Sequence, residues 1–316
     1  MLFDLHRARS LIDALEIDTD TKASMFKAFS RRVELSGENI HFFNEPFTPV
    51  SLTGTHCSLR CKHCDFYYLN HMLDGSPGKL YSHAANLANI GAKGILLSGG
   101  SSPDGSVPTY EQADVIQKIK CDLNLKISAH TGIVNRTQAQ ALSQFLDMAL
   151  VDVIGDDETI HDILGLDACA MDYENSLKEL FAAGIPLAPH VIVGLHYGEL
   201  RGEFRALEMV KKFNPEVVVI VVFIPTKGTS MEKTAPPKLE DVAKVIIKAR
   251  EMFDVPLSLS CVRPGGRYRS MLDSYAILSG IDRIAVPSKS AYSTAKELGL
   301  NIVEISKMCC SYGLSL

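Results

Sequence analysis

The feature that most constrains the fold is an alternation of short β-branched runs with amphipathic segments along most of the chain. Helical patterns separate the runs, among them residues 110–123, 135–148, 172–183, 200–213, 238–253 and 288–299. Eight runs are predicted to be strands, near residues 49–53, 94–98, 125–130, 150–154, 188–193, 217–223, 256–260 and 282–286. Repeated βα units of this number predict an α/β fold, a (βα)8-type TIM barrel that is complete or partial.

Three regions follow from this pattern. Residues 8–36 have helical periodicity with a polar break at residues 18–21 that suits the cap of a second helix, which predicts an N-terminal helical extension over 1–45. The barrel is expected over 46–290. Residues 291–316 are predicted to form a C-terminal helix or strand and a tail that contains cysteines.

Composition limits the classes of partner and compartment. The net charge is −5 over 316 residues, which argues against a bulk nucleic-acid or membrane-surface binder. No run approaches the ~18 apolar residues of a spanning helix, and the N-terminus has no signal-peptide core, so we expect a cytoplasmic protein. Eight cysteines in such a protein indicate metal or redox chemistry before disulfides.

Three cysteines lie just past the first predicted strand, at Cys57, Cys61 and Cys64. A 4Fe-4S cluster has four irons, so a loop that supplies three thiolates leaves one iron open for a small ligand. Zinc is the competing interpretation, because Cys61 and Cys64 form a Cys-x-x-Cys pair with His56 and His63 close in sequence. A second such pair is lacking, which favours the cluster over zinc or inert thiols.

Glycine and polar residues recur where the later strands end, and in a barrel these ends share one rim. A plain tight turn remains open for the glycines, and an ordinary loop or surface role remains open for each polar side chain. The residues at these strand ends are Gly99, Gly100, Ser101, His130, Thr131, Asp156, Gly194, Leu195 and Arg263.

The cysteine loop, with Leu59-Arg60 before Cys61, resembles the signature of the radical S-adenosylmethionine (SAM) superfamily, although His63 replaces the usual aromatic residue. The resemblance implies a 4Fe-4S cluster on the three cysteines and SAM on its open iron. Reductive cleavage of SAM would then give a 5'-deoxyadenosyl radical.

The resemblance also assigns roles at the rim. Gly99, Gly100 and Ser101 stand where the family has the Gly-Gly-Glu that binds the methionyl amino group, with Ser101 in place of Glu. Further implied contacts are His130 and Thr131 with the ribose or methionyl carboxylate, Gly194 and Leu195 with the adenine, and Arg263 with a carboxylate.

The other cysteines divide into two sets. Cys121 and Cys169 are predicted to be small buried side chains. Cys261 ends a predicted strand on the rim, while Cys309 and Cys310 lie in the tail. If the tail folds back over the barrel mouth, these three thiols could bind a second cluster; unligated tail thiols are the alternative.

Within the superfamily, the stretches at 49–55, 96–100, 193–197 and 261–264 resemble the biotin-synthase-like group, and above all the subunits of archaeal two-protein lipoyl synthases. The resemblance implies sulfur insertion into an octanoyl chain on a lipoyl-domain or carrier protein, with a second radical SAM subunit and an electron donor as partners. The chain lacks the N-terminal cysteine motif of single-chain lipoyl synthases, and its Cys-Cys-Ser-Tyr is only similar to their C-terminal Arg-Ser-Ser-Tyr.

Three alternatives remain open. One is a radical SAM enzyme with a single cluster, such as a carbon-skeleton mutase or a methylornithine-synthase-like protein. The others are a non-enzymatic zinc-binding module and a maturation or scaffold protein for another enzyme's metallocentre.

Overall fold

The architecture is taken from a computed structural model, which describes residues 4–312. One parallel sheet of 11 strands forms a half-barrel, in the order β11-β1-β10-β9-β8-β7-β6-β5-β4-β2-β3. The strands are β1 Asn39–Phe43, β2 Thr48–Ser51, β3 Leu73–Asp74, β4 Gly94–Ser98, β5 Lys126–His130, β6 Met148–Asp152, β7 Leu187–Val193, β8 Val218–Val222, β9 Leu257–Leu259, β10 Arg283–Ala285 and β11 Asn301–Ile305.

Helices follow most strands along the chain. They are α1 Leu5–Asp13, α2 Thr19–Ser36, α3 Leu80–Asn89, α4 Ala113–Leu123, α5 Arg136–Leu142, α6 Asp157–Thr159, α7 Ala170–Ala182, α8 Glu203–Lys211, α9 Leu239–Met252, α10 Gly266–Leu278 and α11 Lys289–Glu297. Short 3-10 turns lie at Tyr67–His71 and Thr109–Gln112, and a π-helical turn at Ile160–Leu164 extends α6. No helix in this part of the chain is long and apolar enough to cross a membrane.

The eight predicted strands are all present, which confirms the partial-barrel prediction. The sequence places β11 in the C-terminal segment expected to be a helix or a strand, and it missed β1 and β3. The first of these lies inside the segment predicted to be a helical extension, where β1 pairs with both β10 and β11 and so belongs to the sheet. The strand near 150–154 begins two residues earlier, at Met148, because α5 already ends at Leu142. The division of the chain into 1–45, 46–290 and 291–316 stays a prediction.

Side chains alternate between the two faces of the sheet. Val218, Ile220 and Val222 of β8 belong to the large core that includes the helices. Val219 and Val221, between them, belong to a smaller cluster on the opposite face, with Leu150 of β6 and others. This second face, free of helices, is the inside of the half-barrel.

The second N-terminal helix begins at the polar break where the sequence predicts it, whereas α1 begins at Leu5, three residues before the predicted stretch. Asp18 precedes α2 and its carboxylate accepts a hydrogen bond from the Thr21 amide at 2.8 Å, as a helix cap does. The next connection is short, because only residues 44–47 join β1 to β2, although these strands lie near opposite edges of the sheet. The open side of the half-barrel is therefore narrow where this segment crosses it.

Candidate metal and cofactor site

The three-cysteine loop begins at the C-terminal end of β2. The Leu52 amide donates to the Ser98 carbonyl at 2.8 Å, which continues the β2–β4 ladder to the end of β4. The loop therefore starts beside the turn that follows β4. This is the rim where parallel barrels place their active sites, as the sequence predicts.

The predicted glycine turn packs directly against this loop. A Cβ on Gly100 would lie 2.0 Å from the His56 carbonyl oxygen and 2.5 Å from the Cα of Cys57, so only glycine fits. The Gly100 amide donates to the Thr53 hydroxyl at 2.8 Å, and the Ser58 amide donates to the Ser101 carbonyl at 2.8 Å. Besides any contact with a ligand, the turn thus fixes the position of the loop.

Two of the three thiols, those of Cys61 and Cys64, lie close together beside His63. One ligand atom each from Cys61, His63 and Cys64 falls within 4.8 Å of the others. The Cys57 sulfur accepts a hydrogen bond from the Ser101 amide at 3.3 Å. The buried Nδ1 of His63 has no hydrogen-bond partner in the structure. This set of sulfur donors fits a cluster with three thiolate ligands.

The pKa values of two of these thiols, Cys61 and Cys64, are shifted in opposite directions. The hydrogen bond from Cys61 lowers the pKa of Cys64, and His63 lowers it further. The same hydrogen bond, together with burial, raises the pKa of Cys61, and the neighbouring Cys57 adds to the rise. Cys64 is therefore the first of the pair to become a thiolate, the form in which cysteine binds metals.

A π-helical turn, Ile160–Leu164, holds the loop from the side of β6. The Lys62 amide donates to the Ile163 carbonyl at 2.8 Å, and the Cys61 thiol donates to the Leu164 carbonyl at 3.5 Å. The Lys62 ammonium bonds Asp162 at 2.7 Å, and Asp162 also accepts from the Tyr197 hydroxyl at 2.7 Å. Sequence reasoning missed this turn, because its amino-acid composition does not differ from that of an ordinary α-helix.

The two residues that follow the last cysteine, Asp65 and Phe66, have left-handed backbone conformations, with φ of 34° and 65°. Such conformations are costly for side chains other than glycine and persist where surrounding contacts enforce them. The amide of Asp65 donates to the Cys61 carbonyl at 3.0 Å and that of Tyr67 donates to the Cys64 carbonyl at 2.7 Å. The chain therefore turns sharply around the thiols.

The predicted His130 faces the barrel interior, where the structure adds two residues that the sequence analysis missed. Its Nδ1 lies 3.9 Å from an Asp152 oxygen, and its ring centroid lies 5.3 Å from that of His190. Burial, and then His130, lower the pKa of His190 to about 4, so this ring is neutral. Its Nδ1 donates to the Ala188 carbonyl at 2.8 Å, which leaves Nε2 as an acceptor. Strand alternation places residues 188, 190 and 192 on one face and could have identified His190.

Thr131 lies differently from its neighbour. It is fully buried, and its hydroxyl donates to the Gly132 carbonyl at 3.1 Å. Asp156 is likewise engaged by protein groups, because it caps α6 through Thr159 at 2.8 Å and lies 3.1 Å from the Arg201 guanidinium. Both side chains therefore resemble the satisfied loop residues of the alternative interpretation.

Gly194 and Leu195 lie in the turn after β7, and a buried glutamate organises that turn. The Gly194 amide donates to Glu203 at 2.8 Å, and the same carboxylate accepts from the amides of Arg201 at 2.7 Å and Gly202 at 3.0 Å. Leu195 is 3% exposed. Sequence reasoning missed Glu203, although its place in the first turn of a predicted helix is a signal for such a role.

Arg263 is buried among protein partners. Its guanidinium bonds Asp273 at 2.9 Å and the carbonyls of Ala285 at 2.8 Å and Val286 at 3.1 Å. Its donors are thus directed at Asp273 of α10 and at backbone carbonyls at the ends of β9 and β10. The contact with a ligand carboxylate stays a prediction; the arrangement observed here ties the strand ends together.

The second set of thiols enters the barrel. Cys310 packs against Phe43 and Ala285, which lie at the ends of β1 and β10. Desolvation and then the nearby Cys309 raise the pKa of Cys261, whereas a hydrogen bond from Cys310 lowers the pKa of Cys309 to about 7. The tail therefore brings Cys310 to the end of β10 from within the barrel, and it does not cross the mouth. Cys261 is an exposed residue after the neighbouring strand β9. Cys121 is exposed, so its predicted burial is wrong.

Comparison with known families gives one match at this site. Residues 51–207 match the model described as "Radical SAM superfamily", a span that contains the cysteine loop, the π-helical turn and Glu203. Proteins of this superfamily use a 4Fe-4S cluster and SAM. None of the curated proteins matches the chain.

Solved structures share the fold at low sequence identity. Methylornithine synthase (PylB) is 15% identical, with a TM-score of 0.63, over 96% of this chain and 95% of that one. HydG, a maturase of the [FeFe]-hydrogenase, is 15% identical, with a TM-score of 0.64, over 93% of this chain and 72% of that one. The HydG of Carboxydothermus hydrogenoformans is 16% identical, with a TM-score of 0.63, over 90% of this chain and 67% of that one. These similarities establish the fold.

Proposed function

Because residues 51–207 form a Radical SAM superfamily domain, we propose that Cys57, Cys61 and Cys64 bind the 4Fe-4S cluster of this radical SAM enzyme. The observation that supports this assignment is the position of the three cysteines on one loop at the C-terminal end of β2, where Cys61 and Cys64 lie together with His63 and Cys57 lies near enough to affect the pKa of Cys61. When bound, the cluster supplies the electron that cleaves SAM into methionine and a 5'-deoxyadenosyl radical.

The role of the protein chain is to hold the cysteine loop in place and to orient the bound cofactor. Gly100 and Ser101 fix the loop from β4, and the π-helical turn fixes it from β6. Glu203 shapes the turn that contains Gly194 and Leu195, the proposed adenine contacts. The neutral Nε2 of His190 and the Asp152 carboxylate offer hydrogen-bond acceptors inside the barrel.

We further propose that the reaction is sulfur insertion into an octanoyl chain attached to a lysine of a lipoyl-domain or carrier protein. The 5'-deoxyadenosyl radical would take a hydrogen atom from the acyl carbon. The carbon radical would then bond to a sulfide of a second cluster held by Cys261, Cys309 and Cys310, and one electron would pass to the irons of that cluster. In support, the tail carries Cys309 and Cys310 into the interior, towards the strand end that bears Cys261. These thiols need not converge as closely as the ligands of a single ion, because each thiolate of a cluster binds a different iron.

The proposed partners follow from this chemistry. An electron donor must reduce the first cluster, and a second radical SAM subunit would act on the other carbon of the chain. The substrate protein presents the octanoyl group at the barrel mouth. A cytoplasmic location remains our expectation.

Anaerobic iron and sulfide quantification after reconstitution, combined with mass spectrometry of an octanoylated carrier peptide, tests the proposal. We expect about eight irons per chain, and sulfur in the peptide after SAM cleavage. A Cys121→Ser variant, altered at an exposed thiol outside both sets, serves as the control and is expected to match the unaltered enzyme.

Other outcomes identify the alternatives. About four irons, with SAM cleavage but no sulfur transfer, would indicate a single-cluster enzyme. Cluster binding without SAM cleavage under strong reductant would indicate a maturation or scaffold protein. A colourless zinc protein would refute the cluster itself.

A further inference from the structure

The C-terminal tail occupies the floor of the half-barrel. After β11 the chain turns inward, and the Met308 amide donates to the Glu45 carbonyl at 3.1 Å. The Tyr312 ring then packs on Phe47, with ring centroids 5.4 Å apart. Its cluster also contains interior residues of three strands, Met148 and Leu150 of β6, Ala188 of β7, and Val219 and Val221 of β8.

One buried side chain holds the backbone of this tail. Arg283, the first residue of β10, is 3% exposed. Its Nη1 donates to the Tyr312 carbonyl at 2.6 Å and to the Cys310 carbonyl at 3.3 Å. Among residues 4–312, no carboxylate lies within ion-pair distance of this guanidinium, although other buried arginines of the protein have such partners.

A buried cation without a carboxylate is costly unless other groups satisfy its donors. The tail carbonyls meet part of that requirement here. Opposite Arg283 in the parallel register lies His41, whose pKa is lowered by burial and then by Arg283, so the neighbouring ring adds no second positive charge. Burial lowers the pKa of Arg283 and the charge of Asp282 offsets part of that effect, while the two tail carbonyls supply hydrogen-bond acceptors.

We propose that Arg283 is the positioning residue that anchors the tail inside the barrel and so places Cys309 and Cys310 beside Cys261. This inference rests on the proposed function, since those thiols are the proposed ligands of the second cluster. The anchoring itself is a property of the protein chain and is measurable without substrate. The positive charge also suits the thiolate-bound cluster, which is anionic.

Limited trypsin digestion of the anaerobically reconstituted protein tests the anchor. Lys307 provides a cleavage site that releases the tail from residue 308 onward. In Arg283→Met, which removes the donors and keeps an apolar chain, we expect cleavage after Lys307 to be roughly tenfold faster than in the unaltered protein. Arg136→Met, which alters an exposed arginine of α5, should leave the rate unchanged.

A second variant keeps the test decisive if Arg283→Met does not fold. Arg283→Lys retains the charge but has no fork to reach both carbonyls, so we expect a smaller rise in cleavage, about threefold. Folding of each variant is checked by its thermal transition. A folded variant at position 283 whose tail is cleaved at the unaltered rate would overturn the inference.

Iron content separates this inference from the proposed function. If both hold, iron falls from about eight to about four per chain in Arg283→Met. If the unaltered protein binds only about four irons while the variant is still cleaved faster after Lys307, the second cluster fails and the anchor stands. If the unaltered protein binds about eight irons and a folded Arg283→Met keeps them, the positioning role is refuted.

Discussion

Gly100 and Cys57 approach so closely that a Cβ on the glycine would lie 2.5 Å from the Cα of the cysteine. The two residues belong to different strand ends, β4 and β2. Their contact makes the glycine turn a support for the cysteine loop, because the loop reaches its position only where the neighbouring residue has no side chain.

Replacing Gly100 with Ala should therefore displace the cysteine loop. The nearest atoms, the His56 oxygen at 2.0 Å and Cys57, belong to backbone and cannot rotate away. We expect a loss of about 1–3 kcal/mol in stability and a large loss of iron, measured by thermal unfolding and iron quantification. Gly265→Ala is the matched control, because no atom lies within 4 Å of its added Cβ and its φ is −87°. Normal iron content in Gly100→Ala would contradict the supporting role.

Single changes of Cys57, Cys61 or Cys64 to Ala should each abolish 5'-deoxyadenosine formation, measured by chromatography with dithionite as reductant. Each thiolate binds one iron of the cluster, so none is dispensable. Cys261→Ala should retain SAM cleavage and stop sulfur transfer. Retained formation in any of the first three variants would refute the assignment of ligands, and an unchanged iron content in Cys261→Ala would count against the second cluster.

The sequence was sufficient for the parts of the fold that depend on local pattern. Eight parallel strands and the loop at the end of β2 follow from alternation and cysteine spacing. It missed β1 and left the C-terminal segment open between helix and strand, since the pairing of β1 with β11 joins residues far apart in the chain, such as Phe43 and Ile305. It also missed the direction of the tail, which is set by tertiary contacts of Arg283 and Phe47.

The same division holds within the site. Gly99 and Gly100 were identified because glycine pairs after a strand are a local signal. Glu203, Asp162 and His190 were not, because a polar residue in a helix or strand gives no indication of its distant partners. Arg263 shows the converse problem: a strand-end arginine was expected to grip a ligand, and its donors are directed at Asp273 and backbone carbonyls.

Replacing Glu203 with Gln should loosen the turn after β7. The Glu203 carboxylate accepts hydrogen bonds from three backbone amides. The side-chain NH2 group of Gln is itself a donor, so it would face one of these backbone N–H groups without forming a hydrogen bond. We expect a loss of about 1–3 kcal/mol in stability and roughly tenfold weaker SAM binding, measured by calorimetry on the reconstituted protein. Glu208→Gln, on the exposed side of the same helix, should change neither quantity. Unaltered SAM affinity in a folded Glu203→Gln variant would show that this turn does not contribute to SAM binding.

Asp282 should be essential for stability, because it is the shared partner of two buried arginines. Its carboxylate lies 2.7 Å from Arg250 and 3.6 Å from Arg32. Asp282→Asn leaves both cations without a charged partner, so we expect a loss of about 3–5 kcal/mol in the free energy of unfolding. Asp254→Asn removes an exposed pair with Arg31, and its effect should stay below about 1 kcal/mol. Urea unfolding of both variants checks the contrast.

Stability should fall as the pH falls from about 7 to about 5, and His190 should account for much of the fall. Burial lowers its pKa to about 4 in the folded protein, whereas an unfolded histidine titrates near 6.5. Between these values the unfolded state binds the extra proton, so stability rises with pH and its loss on acidification is complete near pH 4. The contribution lost between pH 7 and pH 5 is about 2 kcal/mol.

Urea unfolding at the two pH values measures this loss, and His190→Gln separates it from other titrations. The variant lacks the titrating ring, so the difference in unfolding free energy between pH 7 and pH 5 should shrink by about 2 kcal/mol whatever its stability at pH 7. His6→Gln, at an exposed position of α1, should keep the full difference. If His190→Gln keeps it as well, the ring is not held neutral inside the barrel, and it cannot serve there as the proposed hydrogen-bond acceptor.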